Sequence, residues 1–257
     1  MIKPAPVTTA QYDRLPVSIY ESNQDMGQAA ALDARDIIRR AISDRGEANI
    51  ILATGNSQLT FLHTLRTLDG IDWSKVSVFH MDEYVGIDPG HPASFPRFLR
   101  DQLLDAVKPG AFYAVPGRAE DLEKACREYE ALLRAHAADM VALGFGENGH
   151  IAFNDPPAVF DEPAWVKVVE LAESGRRQQV GEGHFASLED VPTHAITLTV
   201  PALLAPKAML CIVPEARKAE AVRACLKEPI SPEHPGSILR RVSHARLYLD
   251  RDSAARL

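Results

Sequence analysis

No stretch of this sequence stays apolar over the roughly 18 residues that a membrane-spanning helix needs. No run of five or more basic residues occurs, and the formal net charge is −7 over 257 residues. That balance argues against nucleic acid or an anionic membrane as the main partner. It leaves room for a small phosphorylated ligand, which needs only a few local donors. Cysteine is scarce: Cys126, Cys211 and Cys225 form an odd set with no CxxC spacing. They are expected to be buried free thiols in a reducing, cytoplasmic compartment, not disulfides or catalytic thiols. The opening residues Met1-Ile2-Lys3-Pro4-Ala5-Pro6 contain no apolar run, so no signal peptide is expected. Internal repeats and Gly/Ser linkers are also missing. The Pro-rich stretch 156–163 reads as a structured loop, so one domain over 1–257 is the simpler expectation.

What is present fits a globular chain with a large core: 46% apolar and 25% charged residues. Short apolar runs at 49–53, 76–79, 140–143 and 209–213 read as buried strands. Helical periodicity lies between them. Met26, Ala30, Ile37, Ile38, Ala41 and Ile42 mark one face, and Leu122, Cys126, Tyr129, Leu132 and Leu133 mark another. A third pattern covers about 217–226. Alternating strands and helices imply βαβ units: an α/β, Rossmann-like, doubly wound, mostly parallel sheet with helices on both faces. In such sheets ligands bind at the carboxyl ends of the strands. The unusual polar loops should therefore follow strands, and three of them do.

The first loop is Thr54-Gly55-Asn56-Ser57, before a helix expected near Gln58. Glycine allows close backbone approach, the hydroxyls are donors, and a helix N-terminus favours an anion. It reads as a phosphate cradle without the lysine of a nucleotide loop. The plainer alternative is a βα turn with Ser57 as N-cap. The second is His80-Met81-Asp82-Glu83-Tyr84-Val85-Gly86. Successive residues of an extended segment point opposite ways. One of Asp82 and Glu83 can then face a cleft as general base while the other holds the loop. The alternative is a solvated acidic turn.

The third loop, Gly144 to Pro157, matches G-x-G-x-x-G, and Glu170 lies where a ribose contact would. The dinucleotide fingerprint needs a sustained helix at its third glycine. Asn154-Asp155-Pro156-Pro157 interrupts one within two turns. His150, flanked by Asn148 and Asp155, reads instead as an acid–base centre oriented by polar neighbours. His80, His91 and His150 fit no standard metal-ligand spacing, so no metal and no cofactor are expected.

Five segments together resemble the glucosamine-6-phosphate deaminase family, whose fold is shared with 6-phosphogluconolactonases. They are LATGNS (52–57), FHMDEYVG (79–86), HPASF (91–95), LGFGENGHIAFNDP (143–156) and RKAEA (217–221). In order they cover most of the chain, and MDEYVG with GHIAFN is a specific combination. The resemblance implies a hydrolase/isomerase of a sugar phosphate, most simply glucosamine 6-phosphate going to fructose 6-phosphate and ammonia. Asp82 would take the C2 proton of the open-chain aminosugar. His150, held by Asn148 and Asp155, would assist ring opening. Thr54, Gly55, Asn56, Ser57, Lys218 and an arginine, Arg176 ahead of Arg177, would hold the phosphate, with Glu83 and Tyr84 in secondary places.

Two positions depart from the family pattern. Its usual Asp is Asn148 here, and its usual Glu after Phe-Asn is Asp155. Asparagine accepts a hydrogen bond from imidazole but brings no charge. The stretch 157–168 carries Asp161, Glu162 and Trp165 in place of the basic allosteric residues of hexameric members, so allostery is not expected. Segment 156–190 is the expected lid. A 6-phosphogluconolactonase and a non-catalytic sugar-phosphate sensor are the alternatives. The first usually shows GHxASLFP-like residues after its Gly-His, and the second carries an added helix-turn-helix for which neither end has room or basic charge. A homo-oligomer is left open.

Overall fold

The computed structural model describes residues 1–181 and 183–257, and their side chains except those of Ser174 and Gln178. Among the described residues the strands are β1 (Thr8–Tyr12), β2 (Leu15–Tyr20), β3 (Ala48–Leu52), β4 (Val76–His80), β5 (Asp82–Tyr84), β6 (Ala111–Tyr113), β7 (Met140–Leu143), β8 (Val166–Glu170), β9 (His194–Leu198), β10 (Met209–Val213) and β11 (Ala245–Asp250). The four strands expected from apolar runs are β3, β4, β7 and β10, each displaced by no more than one residue.

The large sheet has the order β1-β2-β11-β10-β7-β3-β4-β6. Every neighbouring pair in it is parallel except the β1–β2 hairpin. The central strands are buried on both faces, so their side chains divide by the two-residue period. Val141 and Leu143 enter one core with Ile51, Phe79 and Cys211. Met140 and Ala142 enter the other with Ile50, Leu52, Val78 and Ile212.

Helices close both faces, as expected. The helix Asn23–Arg45 covers one, starting where the Ser22 side chain accepts from Asp25 N–H and ending at Gly46 with φ 85°. Its Met26, Ala30 and Ile38 sit in the second core. The helices Leu122–Ala135 and Ala219–Lys227 supply Cys126, Tyr129, Val222 and Cys225 to the first. All three cysteines are free and buried. No described helix is long and apolar enough to cross a membrane.

A second sheet, β5-β9-β8, is antiparallel and was not legible in the sequence. β5 follows β4 after one residue, Met81, so the chain passes from the large sheet straight into the small one. The expected lid segment contains β8, paired along its length with β9, and the helix Glu173–Gly181. Glu182 lies outside the described residues.

Winding reverses at the β3/β7 boundary. From β3 the chain steps through β4 to β6 on one side, then returns to β7, β10 and β11 on the other. Such a switch point opens a crevice between loops that leave in opposite directions.

Candidate active site

A cavity of about 220 Å³ lies at that crevice, over the carboxyl ends of β3, β4, β7 and β10. A single water needs about 10–15 Å³ by this measure, so the space suits a small organic molecule. All three polar loops read from the sequence line it.

Asp82, 7% exposed, lines the cavity from the start of β5. Burial pushes its carboxyl up to about 8, and the adjacent Glu83 charge adds to the rise. Glu83 faces the other side of the strand. Its carboxylate accepts from Tyr84 N–H (2.8 Å), the Ser94 hydroxyl (2.9 Å) and Phe95 N–H (3.2 Å). Burial still pushes Glu83 up to about 7 against those bonds. The division expected for this acidic pair, one residue in the cleft and one on the loop, is what the geometry shows. A solvated acidic turn is ruled out, since both side chains are buried.

His150 enters from the β7 loop. Its Nδ1 lies 2.8 Å from Asn148 Oδ1 and 3.2 Å from Asp155 Oδ1. The Asn148 amide nitrogen donates to the same Asp155 oxygen at 3.0 Å. A carboxylate only accepts, so the amide nitrogen faces Asp155 and the amide oxygen faces the imidazole. Both neighbours of Nδ1 are then acceptors. Nδ1 then carries a proton, and Nε2 is the nitrogen not engaged by these two oxygens. Burial works against the Asp155 charge, but the hydrogen bond and attraction of His150 and the Asn148 bond hold its carboxyl below the usual value.

One glycine of this loop, Gly146, makes room for the imidazole. A Cβ on Gly146 would stand 2.1–2.4 Å from three atoms of the His150 ring. No sustained helix follows. Ile151 and Asn154 form an isolated bridge, and Glu170 ends β8 in the small sheet. The dinucleotide alternative is thereby excluded by geometry.

Thr54, Gly55, Asn56 and Ser57 also line the cavity, as do Lys218 and Arg217. Gly55 takes φ 93°, ψ 165° and starts the 3₁₀ turn Asn56–Gln58. Ser57 is not an N-cap: the turn starts from Gly55 without a side-chain cap bond, and so does the helix Leu59–Leu65 from Gln58. After β10 the chain repeats this geometry. Glu215 takes φ 81°, ψ 140° and starts the turn Ala216–Lys218. Lys218 is 5% exposed at the end of that turn. Arg176 also lines the cavity, donating to Leu188 O (2.6 Å) and Val191 O (2.9 Å). Arg177 does not; it is exposed and paired with Glu173.

Tyr84 is buried against Phe95, Phe153 and Phe185, with ring centroids 5.0–5.6 Å away. The three histidines weighed as a metal set are scattered. His80 is in the core, where its Nε2 accepts from Val115 N–H and burial pushes it down to about 3. His91 stacks on Phe185. Among the described residues no group of three or more His, Cys, Asp or Glu is placed to hold a metal.

A family profile described as glucosamine-6-phosphate isomerases/6-phosphogluconolactonase matches residues 21–248. The chain belongs to this family. A glucosamine-6-phosphate deaminase of Exiguobacterium sibiricum is 39% identical over 206 residues, 80% of each protein. One of Bacillus cereus is 35% identical over 217 residues, 84% of this chain and 81% of that one. A solved structure described as a monomeric glucosamine-6-phosphate deaminase superposes with a TM-score of 0.85 at 29% identity, covering 94% of this chain and 99% of its own. A 6-phosphogluconolactonase from Shewanella baltica superposes with a TM-score of 0.75 at 18% identity, over 91% and 96% of the two chains. That last likeness is one of fold.

For a member of this isomerase/lactonase family, sequence reasoning still missed part of the wall. Arg217 donates to Glu215 (2.6 Å) and to Glu147 on the His150 loop (3.1 Å). Its place in the RKAEA segment was the available signal. Phe153, His184 and Gln58 also line the cavity. Gln58 gave none, because its place depends on a contact with Ile212 O from a distant strand.

Proposed function

We propose that this chain is a glucosamine-6-phosphate deaminase. It isomerises the open-chain aminosugar phosphate and releases ammonia, leaving fructose 6-phosphate. The observation that carries the reading is one cavity lined by Asp82, His150, the Thr54–Ser57 turn, Arg176 and Lys218 together. The names of the relatives support it.

The chemistry assigns the roles. His150 Nε2, free to accept while Nδ1 is held, moves a proton between the C1 hydroxyl and the ring oxygen, so the sugar opens. The C1 aldehyde acidifies C2, and Asp82 takes that proton and returns it at C1. The product is a ketimine at C2. Water adds to it, and the carbon–nitrogen bond breaks to give the ketone and ammonia. Isomerisation and hydrolysis are thus successive steps at one site. The dianionic phosphate, held by the Thr54–Ser57 turn, Lys218 and Arg176, supplies binding energy away from the reacting carbons and fixes their position. No cofactor enters these steps. The reading includes one cytoplasmic domain, in keeping with the free thiols, with 156–190 closing over bound substrate.

Purified protein given glucosamine 6-phosphate should release ammonia and fructose 6-phosphate in equal amounts. Asp82→Asn should lower kcat by about 10²–10⁴, the usual contribution of a positioned base. Turnover no greater than that of the variant sinks the reading. Faster hydrolysis of a sugar-phosphate δ-lactone would replace it with a lactonase, and tight phosphosugar binding without turnover with a sensor.

A further inference from the structure

We propose that Glu83 is a positioning residue whose carboxylate latches the Pro92–Phe95 wall of the cavity onto β5 and thereby fixes Asp82 toward its substrate. The inference deepens the aminosugar-phosphate reading and rests on it for its kinetic test.

The wall is the HPASF segment, a motif to which that reading gives no task. Pro92, Ala93 and Phe95 line the cavity. Pro92 and Ala93 lie in a turn and Phe95 opens the helix Phe95–Leu99, so no ladder of strand hydrogen bonds sets their distance from Asp82. Beside the Tyr84–Phe95 ring contact, the polar contact with β5 comes through Glu83. One oxygen accepts from Tyr84 N–H on its own strand, at 2.8 Å. The other accepts across from the Ser94 hydroxyl at 2.9 Å and Phe95 N–H at 3.2 Å. Ser94 and Glu83 are both buried, at 1% and 3% exposure. A buried carboxylate joined to three donors is a costly element unless the geometry it enforces is used.

The strand gives the latch its reach. β5 has only three residues, Asp82, Glu83 and Tyr84. With side chains alternating across it, fixing Glu83 on one face sets Asp82 on the other. Gly117 packs beneath, where a Cβ would meet Glu83 Cγ at 3.1 Å. The carboxylate is therefore held from below as well as from the wall.

The latch is also electrostatic. Asp82 is faced by Glu83 from its own strand, by His80 at the end of β4, by Tyr129 from the helix Leu122–Ala135 and by Thr197 across β9. His80 and Tyr129 are held neutral by burial. Glu83, pushed up to about 7, ionises before Asp82, and its charge then makes Asp82 harder to ionise. The groups facing Glu83 itself are Asp82, Ser94 and the Tyr84 and Phe95 amides.

The test compares Glu83→Gln, Ser94→Ala and the parent enzyme. Glutamine keeps the length, removes the charge and turns one acceptor into a donor that opposes either Tyr84 N–H or the Ser94 and Phe95 donors. Glu83→Gln should lose about 10- to 100-fold in kcat/KM, mainly in kcat. Its acid limb should move to lower pH, because Asp82 then ionises more readily. Ser94→Ala keeps both charges. It should lose up to about tenfold and move the acid limb less than Glu83→Gln does. Hydrogen exchange at the Phe95 amide should quicken in Glu83→Gln, and inorganic phosphate should bind both variants as it binds the parent. A Glu83→Gln enzyme with parental kcat/KM and parental exchange at Phe95 overturns the proposal. So does activity lost only in proportion to the unfolded fraction, with the acid limb unmoved. If the parent turns over no aminosugar phosphate, the functional reading fails, while exchange at Phe95 still decides whether the latch exists.

Discussion

Asp82 is easiest to bury when protonated and useful as a base only when ionised. Its carboxyl sits up near 8, above the ordinary value. For a carboxyl raised on folding, the stability tied to its neutral form is complete below the unfolded pKa and is lost as pH climbs through the folded one. Asp82→Asn removes this loss. The variant should therefore melt at a higher temperature than the parent at pH 8, and the difference should shrink toward pH 4. Thermal scans across that range check it. Asn148 and Asp155 form a second residue-scale unit. The Asn148 amide donates to Asp155 and helps hold its carboxyl down. Asn148→Asp replaces that donor with a like charge, so the Asp155 carboxyl should rise, kcat should fall, and a lower acid limb, below the one that Asp82 sets, should move to higher pH. Adding Asp155→Glu, which restores the acidic pair of the family pattern, should recover part of the loss. A single variant with an unmoved limb would show that the amide contact is idle.

At the scale of elements, the β7 loop is a mount for His150 with almost no slack. The imidazole lies on the bare backbone of Gly146. Gly146→Ala should push the ring off its two oxygen partners and lower kcat by about 100-fold, the effect of roughly an ångström of misplacement. Circular dichroism should stay parental, because the loop lies outside the sheet. The turns after β3 and β10 form a matched pair on either side of β7. One uses Gly55 at its positive φ and the other Glu215. A residue with a Cβ pays conformational energy there. Asp250 offsets it by accepting from Glu215 N–H with both oxygens, at 3.2 and 3.1 Å.

The whole molecule separates stability from chemistry along the strands. The cavity occupies the carboxyl ends. At the amino end of β7, Asp139 is 3% exposed and accepts from Asn49 N–H at 3.0 Å, from Lys207 at 3.0 Å and from Arg45. Asp139→Ala strands a buried amide and two cations. The loss should be about 2–3 kcal/mol, moderated because Arg45 and Lys207 keep access to water. Denaturant unfolding measures that loss. The kcat of the folded fraction should not change, since the site lies at the far end of the sheet.

Much of this was legible in the residues. Apolar runs and helical periods marked β3, β4, β7, β10 and the long helices, because a strand buried on both faces must be apolar throughout. Chemistry-bearing residues were legible because they sit in polar, glycine-rich loops directly after those strands. The small sheet was not. β5 is three residues long, and β8 and β9 gain their partners only when distant segments meet. The fingerprint in the β7 loop was ambiguous for a related reason: glycine permits close approach but does not say to what. By itself the sequence determined the class of fold, the strand-end loops and the residue types available for acid–base work, since these follow from local periodicity and side-chain chemistry. Only the tertiary structure decided that Asp82 faces the cavity while Glu83 faces the wall, that Arg176 reaches the cavity and Arg177 does not, and that Gly146 yields its space to His150. Those outcomes depend on packing between segments far apart in the chain, which no local pattern encodes.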